Sequence, residues 1–145
     1  MKNFLFIMLC ITFISCNQTA NNSGFIQNND TKSAVVVKLA DSYLAGDFNI
    51  ARDYFTADGK HYFNNLEFDV NGIIEGYNSH SLIFKDIKHN DRKVYTGYFN
   101  DGSVQTFHDF NWSATSIITG KEYNYPAHCR WIWEEDKIVR TTCYV

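Results

Sequence analysis

The residues after position 31 change from a helical pattern to a strand pattern near residue 84, and this order constrains the fold most. Before that point, apolar residues such as Val36, Leu39 and Tyr43 recur every three or four positions, which predicts amphipathic helices. After it, segments rich in aromatic and β-branched residues are separated by turn signals such as Asn100-Asp101-Gly102, which predicts strands. Helices followed by a run of antiparallel strands indicate an α+β domain whose helices cover one face of a sheet.

Local signals give approximate bounds for these elements. Asp30 or Thr31 is available to cap the first helix, and Gly46 suits the left-handed residue that ends it. Asp69 is available to cap the third helix. The sequence predicts helices at about 31–45, 48–55 and 69–81, and strands at about 60–64, 84–88, 93–99, 103–115, 122–134 and 137–145.

The first residues resemble an export signal. Lys2 precedes an apolar run from Phe4 to Ile14, which is shorter than the roughly 20 residues of a membrane span. Cys16 follows at once after small Ser15, and this resembles the lipobox of bacterial lipoproteins; cleavage without lipidation is the alternative. We predict a bacterial cell-envelope protein, lipid-anchored to a membrane and facing the periplasm or cell surface. Its parts are a signal peptide at 1–15, lipidated Cys16 with a flexible polar tether at 16–31, and one domain at 32–145.

The last two strands form the clearest hairpin. A two-residue turn at Glu135-Asp136 places Cys129 opposite Thr142. In that register Cys129 and Cys143 lie on opposite faces of the sheet, which argues against a disulfide even though export permits one. A shift of one residue would move these side chains to the other face, so the sequence leaves the disulfide open.

Charge and residue spacing exclude several classes of function. The formal net charge is −3 and no basic stripe is present, so nucleic acid is not an expected partner. The five histidines include no H-x-x-x-H or H-x-H arrangement, and no metal or cofactor is predicted. The sequence also lacks a G-x-S-x-G elbow and a phosphate-binding glycine loop.

The segment YLAGDFNIARDYFTADGKHYF resembles the opening of the nuclear-transport-factor-2-like superfamily, particularly its SnoaL-like branch. Gly72-Ile73-Ile74-Glu75, Thr119-Gly120-Lys121 and Asp136-Lys137-Ile138 resemble later phrases of that family, in the same order, and the match covers about 32–145. The resemblance implies a curved antiparallel sheet, wrapped by N-terminal helices into a cone with an internal pocket. Members often dimerise through the outer face of the sheet, and they include both enzymes and small-molecule binders, so the fold alone does not give the function.

The resemblance does not extend to ketosteroid isomerase catalysis. That reaction needs a carboxylate base and an acidic oxyanion donor in a dry pocket. Counted from the shared A-G-D turn, the donor tyrosine falls on Leu39 and the base aspartate on Phe63. The third acid falls near His128 or Cys129, where no carboxylate exists. This activity is therefore not expected.

Two sets of residues remain as candidates for a site. On a regular strand His108 shares a face with Phe110 and Trp112, while Asp109 lies on the other; His108 is either a base near neutral pH or an ordinary packed residue. Aromatic rings that stack flat ligands and an arginine that holds a carboxylate suit a ligand pocket. The pocket candidates are Tyr62, Trp112, Trp131, Tyr144, His128 and Arg130. Because Trp131 and Arg130 lie on opposite faces, only one of their two sets lines the pocket.

These features predict a membrane-anchored protein that binds a small, mostly apolar ligand without strong catalytic activity. One alternative is a proton-transfer enzyme of isomerase, dehydratase or cyclase type that uses His108 or Asp109. The other is a protein–protein interaction module of the envelope that uses the outer aromatic face of the sheet. A homodimer through the sheet fits the family resemblance.

Overall fold

The computed structural model describes residues 24–145. The predicted signal peptide at 1–15, the lipidation site Cys16 and the first part of the predicted tether lie outside the described residues. Within residues 24–145, no helix combines the length and the apolar character that a membrane crossing requires.

Two α-helices pack against a seven-stranded sheet in the described part of the chain. The helices are α1 (Thr31–Leu44) and α2 (Val70–Ile83), with a short 3₁₀ helix at Asn49–Asp53 between them. The strands are β1 (Phe25–Gln27), β2 (Phe55–Phe63), β3 (Leu66–Asp69), β4 (Phe84–Tyr98), β5 (Val104–Ser116), β6 (Glu122–Glu134) and β7 (Lys137–Tyr144). Their order in the sheet is β1-β4-β5-β6-β7-β2-β3. The curved sheet does not close on itself, and the predicted α+β fold is confirmed.

One pair of strands departs from the predicted antiparallel sheet. β2 pairs with β7 in parallel, whereas the other neighbouring pairs are antiparallel. Short turns connect β4 through β7, and a short turn forces antiparallel pairing. The β2–β3 hairpin comes from the helical half of the chain and adds to the free edge of β7, so no turn fixes its direction. The sheet is therefore mixed.

Asp30 joins the start of α1 to the sheet. Its carboxylate caps the helix by accepting a hydrogen bond from the Ser33 backbone N at 2.9 Å. It also accepts hydrogen bonds from Thr96 Oγ1, at 3.0 Å, and from the Tyr98 hydroxyl. Upstream, the Phe25 ring stacks on Tyr98 with the centroids 5.0 Å apart. The folded part thus includes β1 and Asp30, which lie inside the stretch that the sequence assigns to the tether.

Replacing Asp30 by alanine is expected to lower the free energy of unfolding by about 2 kcal/mol, because a helix cap and two side-chain hydrogen bonds are lost together. The matched control is Asp69→Ala. Asp69 caps α2 through one bond to the Gly72 backbone N, so this change is expected to cost about 1 kcal/mol. Urea unfolding measures both values. Equal losses would contradict the role of Asp30 as a link between α1 and β4.

The β6–β7 hairpin corrects the predicted register. Pairing begins at the expected two-residue turn but shifts by one residue between Ile132 and Trp133. Val139 is the extra residue of this β-bulge, and such a bulge exchanges the two faces of a strand beyond it. Cys129 therefore lies directly opposite Cys143, and the two form a disulfide with their Cα atoms 4.1 Å apart. The expectation that these cysteines face opposite sides of the sheet was wrong.

Three smaller differences concern the bounds of elements. The helix predicted at 48–55 is a 3₁₀ helix of five residues, and the strand predicted at 60–64 starts earlier, at Phe55. The strands predicted at 84–88 and 93–99 form one strand, β4, whose pairing with β5 is interrupted at two bulges. Asp86 and Asp91 lie at these bulges with φ of 56° and 54°, a conformation that aspartate tolerates better than most residues.

Candidate functional site

A cavity of about 270 Å³ lies between the two helices and the inner face of the sheet. Its wall is largely aromatic and contains no aspartate, glutamate, lysine or arginine side chain among the described residues. The wall consists of Ala40, Tyr43, Phe48, Phe63, Tyr77, His80, Phe84, His89, His108, Phe110, Trp112, Tyr125, Ala127, Cys129, Trp131, Cys143 and Val145. Tyr125 and Val145 are the exposed members of this set, so the cavity opens to solvent beside them.

The alternation of β5 places three of the predicted residues as expected. His108, Phe110 and Trp112 lie on the cavity wall. Asp109 lies on the opposite face of the strand, where its Oδ1 is 2.9 Å from Nδ1 of the exposed His128. His108 and Asp109 therefore do not meet in one site.

The two faces of β6 are also separated. Trp131 lines the cavity, so Arg130 and His128, at odd spacing from it, lie on the exposed outer face. The bulge at Val139 moves Tyr144 outward as well, although the predicted register placed it on the same face as Trp131. Of the predicted pocket residues, Trp112 and Trp131 therefore line the cavity, whereas Tyr144, His128 and Arg130 do not.

Tyr62, the last of the predicted pocket residues, also lies outside the cavity wall. It lies on β2, where the guanidinium carbon of Arg140 on the neighbouring strand is 4.3 Å from the centroid of its ring. This contact belongs to the surface of the sheet and gives Tyr62 a structural partner.

The helices supply wall residues that the sequence did not single out. Trp112 Nε1 donates a hydrogen bond to the Tyr43 hydroxyl at 2.8 Å, and that hydroxyl lies 2.9 Å from His80 Nδ1. Because an indole nitrogen is only a donor, Tyr43 accepts from Trp112, which leaves its hydroxyl hydrogen available to His80 Nδ1. The helical spacing of Tyr43 predicted that its side chain is buried. It did not predict the hydrogen bonds to His80 on α2 and to Trp112 on β5.

A second chain of contacts holds Tyr77, whose ring lies beside that of Tyr43 with the centroids 5.2 Å apart. Its hydroxyl lies 3.1 Å from His61 Nε2, and His61 Nδ1 is hydrogen-bonded to Thr141 Oγ1. Tyr77, Phe63 and His80 also border a smaller space of about 90 Å³ beneath α2. Tyr77 thus lies on the walls of both spaces.

The histidines of the cavity wall are neutral at pH 7. Burial lowers the pKa of His108 to about 3, and the neighbouring His89 and the charge of Arg92 contribute. Burial, together with Arg92, lowers the pKa of His89 to about 4. Burial also lowers the pKa of His80 and raises the pKa of Tyr43 to about 12. The wall therefore carries no charge near neutral pH.

Three wall residues have a buried polar atom without a hydrogen-bond partner in residues 24–145. These atoms are Nε2 of His108, Nδ1 of His89 and Nε1 of Trp131. These atoms have almost no accessible surface, so they are not presented to the cavity. The wall itself is uncharged and mainly aromatic, which suits a neutral, mostly apolar molecule. No cluster of three His, Cys, Asp or Glu side chains suited to a metal ion occurs in the same residues.

Comparison with known proteins identifies the fold. No family model matches the sequence, and no curated protein sequence matches it significantly. Many solved structures are similar, and three that match over most of their length are described below.

The first is a protein of ketosteroid isomerase-like fold from Catenulispora acidiphila in complex with trimethylamine (TM-score 0.63, 12% identity, 77% of this chain and 84% of that chain). The second is a candidate polyketide cyclase from Pseudomonas putida (TM-score 0.66, 18% identity, 81% and 92%). The third is a SnoaL-like polyketide cyclase from Agrobacterium tumefaciens (TM-score 0.60, 14% identity, 79% and 91%). At these identities the similarity concerns the fold, and the described chain has the α+β cone fold of the nuclear-transport-factor-2-like and SnoaL-like proteins.

Proposed function

We propose that this chain is a membrane-anchored protein that binds a small, neutral, mostly apolar molecule in its cavity, without strong catalytic activity. The observation that carries the proposal is the wall of the cavity, which is mainly aromatic and carries no charged side chain. Ligand pockets typically combine such an apolar wall with a few polar groups that orient the ligand.

Proton-transfer chemistry fits the site less well. A general base works best when its pKa lies near the working pH, and burial lowers the pKa of His108 to about 3. The usual orienting carboxylate is also missing, since Asp109 lies on the outer face of the sheet and is hydrogen-bonded to His128. His108 is therefore poorly suited to the removal of a proton.

Two observations support the remaining parts of the proposal. The disulfide between Cys129 and Cys143 is typical of a protein that works outside the reducing cytoplasm, which agrees with the export signal predicted at 1–15. The similar protein from Catenulispora acidiphila was solved with trimethylamine, so a protein of this fold forms a complex with a small molecule.

A pair of fluorescent probes with one skeleton tests the site. N-phenyl-1-naphthylamine is flat and neutral, whereas 1-anilinonaphthalene-8-sulfonate adds a negative charge. The neutral probe is expected to bind at least about tenfold more tightly at pH 7, because the sulfonate would be buried without a cation. Fluorescence titration measures both dissociation constants. Equal affinities would contradict a neutral ligand.

A substitution at Ala127 tests whether the neutral probe binds in the cavity. It is fully buried on the cavity wall, and Ala127→Leu is expected to weaken binding of the neutral probe at least about tenfold by filling the space. Stability should stay equal or rise, since each added buried methylene contributes about 0.8 kcal/mol where room exists. Ala57→Leu at an exposed position of β2 is the control. Unchanged probe binding in a folded Ala127→Leu protein would show that the cavity is not the site.

A further inference from the structure

A group of exposed aliphatic side chains lies at one end of the sheet, outside the cavity. Leu82 and Ile83 are the last two residues of α2, and Ile117 and Ile118 lie in the turn between β5 and β6. These four residues are called the apolar tip below. Leu82 and Ile118 are 76% and 82% exposed, and Ile83 and Ile117 are 42% and 51% exposed. Apolar side chains that protrude this far and adjoin one another mark an interaction surface.

The backbone holds the apolar tip in a defined conformation. The Ile117 backbone N donates to the Ile83 carbonyl at 3.0 Å, which joins the two halves of the tip. The turn itself is closed by hydrogen bonds between Ser116 and Lys121 and between Gly120 and Ser116. Turns usually carry small and polar residues, so two consecutive exposed isoleucines in a well-bonded turn are unusual.

Three lysines and two acidic residues lie on the segments that adjoin the apolar tip in the sequence. Lys85 and Lys88 follow it on β4, and Lys121 ends the turn, while Asp86 and Glu122 are the acidic residues on the same segments. The tip therefore has a surplus of positive charge on a chain whose formal net charge is −3. An apolar surface flanked by lysines matches a membrane interface that contains anionic lipids.

The residue types favour a lipid over a protein partner. The cores of protein interfaces are enriched in tyrosine, tryptophan, methionine and arginine, and their energetic centres seldom consist of leucine. The most exposed side chains of the tip are Leu82 and Ile118, and nearby Tyr123 lies beneath the Lys121 ammonium, which is 5.0 Å from the centroid of its ring. We propose that the apolar tip inserts into the interfacial layer of a bilayer that contains anionic lipids.

Docking by the tip would bring the cavity close to the bilayer. Phe84 follows Ile83 directly and lies on the cavity wall, where its ring contacts Trp112 at 5.3 Å between centroids. An apolar ligand would then have a short path between membrane and cavity. This consequence rests on the proposed function, whereas membrane insertion of the tip does not.

A tryptophan placed at the tip tests insertion in the full chain. The Ile118→Trp protein is mixed with vesicles of phosphatidylcholine and phosphatidylglycerol whose acyl chains are brominated, and the signal of the unsubstituted protein is subtracted. We expect a blue shift and about a twofold loss of the added emission. The matched control is Leu66→Trp, since Leu66 is similarly exposed, at 61%, on β3 at the far edge of the sheet. Its emission should not be quenched.

Several outcomes would overturn the proposal. Equal quenching at both positions would show that other parts of the chain hold the protein at the membrane without a role for the tip. No quenching in Ile118→Trp would contradict insertion and would indicate that a protein, not a membrane, covers the tip. A blue shift without vesicles would show that a second copy or the chain's own N-terminal residues cover the tip.

The preference for anionic lipid is tested by a separate pair of substitutions. Lys85→Gln combined with Lys121→Gln, in the Ile118→Trp background, is expected to reduce quenching on anionic vesicles to the level seen on pure phosphatidylcholine. Unchanged quenching would overturn the preference for anionic lipid. None of these signals depends on probe binding in the cavity, so failure here and failure of the proposed function can be told apart.

Discussion

Lowering the pH from 6.5 towards 4 is expected to unfold the domain, because three buried histidines resist protonation only in the folded state. Burial lowers the pKa of His61 and of His89 to about 4 and that of His108 to about 3, from an ordinary value of 6.5. Between these values the unfolded chain binds protons that the folded chain does not, so the free energy of unfolding falls as the pH falls.

The size of this effect is large for a single domain. Each histidine contributes about 1.4 kcal/mol per pH unit near pH 5, and the three together contribute about 4 kcal/mol per pH unit. Since domains are typically stable by about 5–15 kcal/mol, roughly two pH units should remove much of the stability. The loss should level off below the folded pKa values.

Urea unfolding between pH 7 and pH 5 measures the slope. His108→Gln is expected to reduce it by about one third, whatever the change does to stability at pH 7. His128→Gln is the matched control, because His128 is exposed on the outer face of the sheet. A slope that stays the same in His108→Gln would contradict the neutral state of His108 in the folded protein.

Removal of the disulfide is expected to lower the free energy of unfolding by about 3 kcal/mol. The bridge between Cys129 and Cys143 closes a loop with a sequence separation of 14, and the entropy of closing a loop of this size has about that magnitude. For a domain of this length the change corresponds to a fall of about 10–15 °C in Tm. The double variant Cys129→Ala with Cys143→Ala tests the value by thermal unfolding.

Reduction provides an independent check of the same bridge. Dithiothreitol should lower the Tm of the unsubstituted protein by a similar amount and leave the Tm of the double variant unchanged. A double variant as stable as the parent would show that the bridge contributes nothing to stability. Because both cysteines lie on the cavity wall, we also expect reduction to weaken binding of the neutral probe.

The sequence predicted features that depend on neighbouring residues. Asp69 caps its helix as predicted, and Asp30 is the cap of the two alternatives offered for α1. Gly46 adopts the expected left-handed conformation with φ of 78°, and the bounds of β5, β6 and β7 agree to within a residue or two. The alternation along β5 likewise placed His108 and Trp112 on one face. Caps, turns and alternation follow from local hydrogen bonding and strand geometry, so they can be read from a short segment.

The tertiary structure decided what depends on pairing between distant segments. A single extra residue at Val139 brings Cys129 opposite Cys143 and turns Tyr144 away from the cavity. The choice of Trp131 over Arg130 as the inward residue, and the meeting of Tyr43, His80 and Trp112, depend on which faces of α1, α2 and the sheet pack together. A β-bulge adds one residue to a strand and thereby moves the side chains that follow it to the opposite face of the sheet. The local sequence therefore determined the elements of this protein, and the packing of the whole sheet determined its site.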